Sequence, residues 1–180
     1  MTQKKINIDL KLIEKNSILF NKKYKSKLRS MKANLLEKSL IEYESIEEKM
    51  QFISSFAFLS YCTDQINSKK TKFFQDIQEK LNRIQINLVF YCLELSNLQA
   101  TKLKNLFGSK YSSWIKNLVK NKKYQKSESI EKILMQKSVT SGNSWIKFFD
   151  QFMARLKFKF NGKFVSESEI LDLISSSNSL

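Results

Sequence analysis

The sequence contains no proline and only three glycines, Gly108, Gly142 and Gly162. These two residue types interrupt helices most often, one by lacking an amide proton and fixing φ, the other by its backbone freedom. A chain of 180 residues almost without them is built for long helices and against a many-stranded sandwich. The apolar content of 42% is near that of ordinary globular domains and suffices for a core. The reading is therefore all-α: an elongated helical bundle in a single domain spanning residues 1–180, without internal repeat or linker.

Apolar spacing places the helices. Between Lys11 and Lys38, the residues Ile13, Phe20, Tyr24, Leu28, Met31 and Leu35 recur at steps of three, four and seven, one face of a helix. Ser39-x-x-Glu42 reads as a capping box opening a second helix, with Tyr43, Ile46, Met50, Ile53 and Ala57 as its seam. Asn67-Ser68 reads as a turn. The third helix carries Ile77, Leu81, Ile84, Leu88, Tyr91, Leu95 and Leu98 in an unbroken four–three alternation, with Phe73 and Phe74 leading in. A free-standing coiled coil keeps its flanking positions polar, but here Ile86, Val89, Phe90 and Leu93 widen the stripe. That predicts a helix packed on more than one side rather than a dimer zipper.

After Gly108 the elements shorten. Tyr111–Lys120 carries Trp114, Ile115 and Leu118, and Ser127–Gln136 carries Ile130, Ile133 and Leu134. Ser138 to Gly142 reads as a loop, with Asn143 capping a helix through Met153 whose apolar side is Trp145, Phe148, Phe149 and Phe152. Then the period changes. Leu156-Lys157-Phe158-Lys159-Phe160 alternates as a strand, Asn161-Gly162 is a hairpin turn, and Lys163-Phe164-Val165 returns, giving one small β-hairpin near residues 155–165. Ser166-x-x-Glu169 is a second capping box, before a helix with Ile170, Leu171, Leu173 and Ile174.

Several chemistries lack their residues. With no histidine and two cysteines 30 positions apart, no zinc site of the usual four-ligand or open three-ligand kind can be assembled. Cys62 and Cys92, each in an apolar stretch, read as small core residues of a reducing compartment. Glu47-Glu48 reads as an exposed helical face. A nucleophile needs a base; Ser113-x-x-Lys116 and Ser129-x-x-Lys132 have the spacing of a Ser–Lys pair, but lysine is so abundant that such matches arise by chance. Three scattered glycines build no phosphate-cradling loop. No catalytic, cofactor-binding or metal-binding residue is assigned, and no cofactor is expected.

The net charge of +15 and pI near 9.7 invite a polyanion partner. Only Arg29, Arg83 and Arg155 among the 32 basic residues are arginine, the residue that bidentate phosphate and base recognition favours. The lysines run along the whole chain, so a solvated surface is the preferred account, and a basic helical module for nucleic acid or an anionic membrane surface is the alternative. Phe158 and Phe160 between Lys157, Lys159 and Lys163 are the best base-stacking candidates, although alternation predicts phenylalanines toward a core and lysines toward water. No run of apolar residues is long enough to span a membrane, and no secretory apolar core is present, so the expected location is cytoplasmic.

The order of motifs resembles the N-terminal region of oligoendopeptidase F, a thimet-oligopeptidase-like zinc metallopeptidase. The resembling residues are Phe20–Leu28, Tyr43-Glu44, Phe56-Ala57-Phe58-Leu59, Thr63-Asp64 and Tyr91-Cys92-Leu93-Glu94-Leu95. They continue with Glu131-Lys132-Ile133-Leu134, Thr140-Ser141-Gly142, Trp145-Ile146-Lys147-Phe148-Phe149-Asp150-Gln151 and Val165–Glu169. The family's HExxH helix and further glutamate have no counterpart here, and Tyr124-Gln125-Lys126-Ser127 stands where the family usually carries a histidine. The resemblance implies the wall of a deep substrate channel, truncated before the catalytic domain and not an enzyme on its own. The partner it implies is a separate catalytic zinc-peptidase domain, with oligopeptides bound only in that context.

Overall fold

The computed structural model describes residues 3–98, 102–103 and 111–177. Three long helices come first: α1 (Gln3–Tyr24), α2 (Ala33–Cys62) and α3 (Ser68–Ser96). Shorter elements follow: α4 (Ser112–Asn121), α5 (Glu128–Thr140), α6 (Gly142–Arg155), a hairpin of β1 (Phe158–Phe160) and β2 (Lys163–Val165), and α7 (Glu167–Ser177). The architecture is mainly α, as the scarcity of helix breakers predicts. Gly108, read as a break, lies outside the described residues.

Helix α3 is the axis, packing against α1, α2 and α5. Its first turn is fixed by Asn67, whose side-chain oxygen accepts from the amides of Lys69 (3.1 Å) and Lys70 (3.3 Å), leaving fewer orphan donors. All seven seam residues from Ile77 to Leu98 are buried, and from Ile84 to Ser96 no residue is exposed. Burial wider than a two-residue stripe over Ile84–Ser96 marks this half of α3 as packed on more than one side, as read. Against it α1 sets Ile6, Leu10, Ile13, Phe20 and Tyr24, while α2 sets Leu36, Leu40, Ile46, Met50, Ile53 and Ala57.

Polar bonds fix the registers between these helices. The Asn21 amide donates to the carbonyl of Asn87 (2.8 Å), and the Asn87 amide donates to Ser17 Oγ (3.1 Å), tying α1 to α3. Gln85 donates to Glu47 Oε1 (3.0 Å) and Gln78 to Ser54 Oγ (3.2 Å), tying α2 to α3. Phe20 packs at 5.1 Å edge-on to Tyr91, and Tyr43 stacks on Tyr91 at 4.7 Å. Apolar rows supply most of the burial, and these bonds choose among the ways the rows could slide.

Four boundaries differ from the sequence reading. The first helix does not run to Lys38; it stops at Tyr24, because Ser26 adopts φ +64° and donates its amide to Glu94 Oε1 (2.6 Å). Leu28, on a 3-10 turn, still reaches the core with no exposure, but beyond the break the read spacing fails: Leu35 is exposed and Leu36 is buried in its place. Ser39 is not a cap: it lies inside α2, fully buried, its hydroxyl donating to the carbonyl of Leu36 (2.7 Å) and sharing a hydrogen bond with Tyr91 Oη (2.8 Å). The expected loop from Ser138 to Gly142 shrinks to a kink at Ser141, and α6 begins at Gly142 rather than being capped by Asn143. The second capping box forms as read: Ser166 donates its amide (2.6 Å) and hydroxyl (2.7 Å) to Glu169, and Glu169 returns its amide to Ser166 Oγ at 3.4 Å.

Urea unfolding tests this centre. Leu88→Ala removes a fully packed seam side chain and is expected to cost about 2–5 kcal/mol. Tyr91→Phe strips the hydroxyl from Ser39 and is expected to cost about 1–3 kcal/mol, against the near-zero change expected of an exposed tyrosine.

Candidate docking surface

The distribution of burial along the chain is uneven. Every buried side chain lies at or before Leu118; among the described residues after it, none is buried. Yet this second stretch is rich in large apolar groups. On α5, Ile130, Ile133 and Leu134 are exposed; on α6, Trp145 is 73% exposed, with Phe148, Phe149 and Phe152 each more than half exposed. Phe160, Phe164, Leu171, Leu173 and Ile174 continue the series through the hairpin and α7. The spacing that marks an amphipathic helix is present on α6, and the expected apolar side is the right one, but it faces outward. Its rings contact one another, Trp145 edge-on to Phe148 at 6.1 Å and Phe148 stacked near Phe152 at 6.4 Å. Soluble monomers seldom leave so many neighbouring large apolar groups in water, and such faces mark interaction sites.

The hairpin corrects a second expectation. Its register pairs Phe158 with Val165, Lys159 with Phe164 and Phe160 with Lys163, around Asn161 and Gly162 at φ +48° and +80°. Directly paired residues share a face. Phe164 therefore sits with Lys159, and Lys163 with Phe158 and Phe160, so the phenylalanines are not gathered on a core face with the lysines opposite. A two-residue turn reverses the in–out order of the returning strand relative to the alternation read along the first.

This outer layer is tethered by polar contacts. Asn82 on α3 donates to the carbonyl of Met135 on α5 (2.8 Å), and Gln151 on α6 donates to Thr71 Oγ1 on α3 (3.4 Å). Lys25 and Lys132 both pair with Glu128, the latter at 2.7 Å. Partial burial alone would raise the Glu128 carboxyl, but the hydrogen bonds from Lys132 and Lys25 outweigh it and hold it below the usual carboxylate range. Gln125, in the segment where a histidine is missing, accepts from Ser96 Oγ (2.7 Å).

The candidate chemical groups are not brought together. Lys132 is engaged by Glu128, and Ser129 Oγ bonds Ser127 Oγ at 3.0 Å, so that pair is no nucleophile and base. Ser113 and Lys116 are both exposed. Glu47 is half-buried and takes Gln85, so only Glu48 is the solvated residue expected of the pair. Cys62 ends α2 in the exposed class, against its expected core role; Cys92 is half-buried, its thiol raised by desolvation and lying 3.7 Å from Tyr43 Oη. No group of three or more His, Cys, Asp or Glu side chains able to hold a metal ion occurs among the described residues. No helix among the described residues is long and apolar enough to cross a membrane.

The outer helices α5 and α6 thus turn one side to the rest of the fold and expose a row of large apolar side chains on the other. The family model Oligopeptidase F matches residues 94–158, the segment that carries α4, α5, α6 and the start of the hairpin. The relationship read from the motif order is thereby shown over these residues: the chain is related there to the N-terminal region of this peptidase family. The motifs from Phe20 to Asp64 and the Val165–Glu169 motif lie outside the match, and Tyr91–Leu95 straddles its start. No curated protein and no solved structure matches the chain.

Two measurements check this layer. In hydrogen exchange, the amides of α5 to α7 are expected to exchange at low opening free energy while those of α3 between Ile84 and Leu95 approach global protection; equal protection would show a core not visible here. Glu128 has a folded pKa below its unfolded one, so its stabilisation is present at neutral pH and fades as pH falls through the carboxylate range. The partly exposed setting limits the effect to about 1 kcal/mol or less. Glu128→Gln should lower stability at pH 7 by that amount and leave it unchanged near pH 3.

Proposed function

We propose that the chain is the non-catalytic N-terminal portion of an oligoendopeptidase F-like metallopeptidase and forms part of a substrate-channel wall. The observation that carries this reading is an overlap of position: the matched residues 94–158 include α5 and α6, where Ile130, Ile133, Leu134, Trp145, Phe148, Phe149 and Phe152 are exposed and no described side chain is buried. A domain that completes a larger enzyme keeps apolar surface for the interface, because that surface is buried only on assembly. The buried three-helix part, α1 to α3, supplies the rigid support, and α5, α6 and the hairpin supply the face that the catalytic zinc-peptidase domain covers. Oligopeptides are bound only in that context.

The absence of histidine from these 180 residues supports the division of labour. Water activation on zinc by the HExxH arrangement requires imidazole ligands. They come from outside this sequence. The basic-module alternative rests on the net charge of +15, which the pairing of Lys23, Lys25 and Lys132 with Glu42 and Glu128 leaves in place.

The test uses the 180-residue protein purified to homogeneity. It is expected to hold no stoichiometric zinc by elemental analysis and to leave a quenched fluorescent oligopeptide intact. Peptide turnover that co-purifies with the protein and persists after chelation would overturn the reading.

A further inference from the structure

Between α2, α3 and the first turns of α6 lies a cleft of about 430 Å³. One wall is aromatic. Tyr61 from α2 stacks on Phe74 from α3 at 5.2 Å, the rings 14° from parallel, and Phe58 lies 5.9 Å from Phe74. The rest of the lining carries charge of both signs: Lys147 and Asp150 from α6, and Glu79 from α3.

Two of the groups facing this cleft, Tyr61 and Lys147, stand apart from the hydrogen-bonded ones such as Gln78. Tyr61 is only 1% exposed, and its hydroxyl has no hydrogen-bond partner among the described residues. Buried side-chain oxygens are nearly always paired, so an orphan phenol at the edge of a cleft marks a place where a partner from outside belongs. Burial first, and then the negative charge of Asp150, hold this phenol above its usual pKa, which puts the carboxylate in its neighbourhood although the two are not bonded. Lys147 forms no ion pair among the described residues, and desolvation lowers its ammonium. Lys147 and Asp150 stand three residues apart on α6, which places them side by side on the helix surface.

We propose that this cleft binds an aromatic α-amino acid. The ring packs against the cleft-facing edges of the Phe58–Phe74 pair, whose rings are already in mutual contact at 5.9 Å, where offset or edge packing is favoured. The ligand's carboxylate meets Lys147, and its ammonium donates to Asp150 and to the orphan Tyr61 oxygen. A neutral apolar ligand would leave all three of these groups unpaired in a drying cleft, and a simple aromatic amine would face Lys147 with a like charge. The assignment does not depend on a peptidase origin for the chain.

The experiment is calorimetric titration of the whole chain with L-phenylalanine, in parallel with phenethylamine and with N-acetyl-L-phenylalanine amide. Phenylalanine is expected to bind saturably with a Kd of about 1 mM or tighter, and both analogues about tenfold more weakly, each lacking a charged partner. Tyr61→Phe is expected to weaken phenylalanine binding by roughly 2–10-fold while raising the melting temperature of the free protein, because an unpaired buried hydroxyl has gone. A purely structural tyrosine would lower that temperature and leave affinity alone. Asp150→Asn, at the rim, is expected to weaken binding about tenfold or more without altering the fold. The proposal is overturned by an absence of saturable heat up to about 10 mM ligand, by phenethylamine binding as tightly as phenylalanine, or by unchanged affinity in both variants.

Discussion

Everything in this structure hangs on the second half of α3 being enclosed by its neighbours. A helix whose residues from Ile84 to Ser96 are all buried or half-buried needs neighbours on most sides, and α1, α2 and α5 supply them. The energetics are those of apolar burial, with each fully buried Leu or Ile contributing on the order of 1.5–3 kcal/mol. Specificity comes from the few polar groups among them. Asn21, Ser17 and Asn87 form one chain of bonds, and Ser39 with Tyr91 forms another. A half-turn slip of α1 or α2 would leave these groups buried without partners, at a cost comparable to losing a large apolar contact.

That arrangement explains why the aromatic-x-Leu-Glu-Leu motif is placed where it is. Tyr91 closes the aromatic centre, Leu95 extends the seam, and Glu94 reaches out to accept the amide of Ser26. Glu94 thereby terminates α1 and lets the chain turn into α2. One short stretch of sequence packs the core and shapes a distant connection, a double role that its residue types alone do not announce.

The long elements were legible because apolar period and helix length agree over many turns. Ile77 to Leu98 is the clearest case, and Asn161-Gly162 as the hairpin turn follows from local chemistry; Asn67-Ser68 read only as a turn, where Asn67 in fact caps α3. What the sequence could not reveal is which way an amphipathic face points. Trp145, Phe148, Phe149 and Phe152 have the spacing of a core stripe and are exposed, because periodicity reports that a helix has an apolar side and not what lies against it. Ser39 misled for a related reason. Ser-x-x-Glu marks a helix start only when the chain is free to begin there, whereas the tertiary partner Tyr91 holds this serine in mid-helix. The cleft beside Tyr61 was invisible, since Phe58, Phe74 and Lys147 come from three helices and form no pattern along the chain.

The central claim is that the outward aromatic face of α6 is an interface awaiting the catalytic part of a peptidase. Trp145 reports on it directly, once the half-buried Trp114 is replaced by phenylalanine so that one indole remains. Acrylamide quenching of that indole, measured before and after adding a zinc-peptidase catalytic domain of the oligoendopeptidase F type, is the decisive reading. The account predicts a blue-shifted emission and a marked fall in quenching on mixing. An indole that stays as accessible to acrylamide in the mixture as in the isolated protein would contradict it.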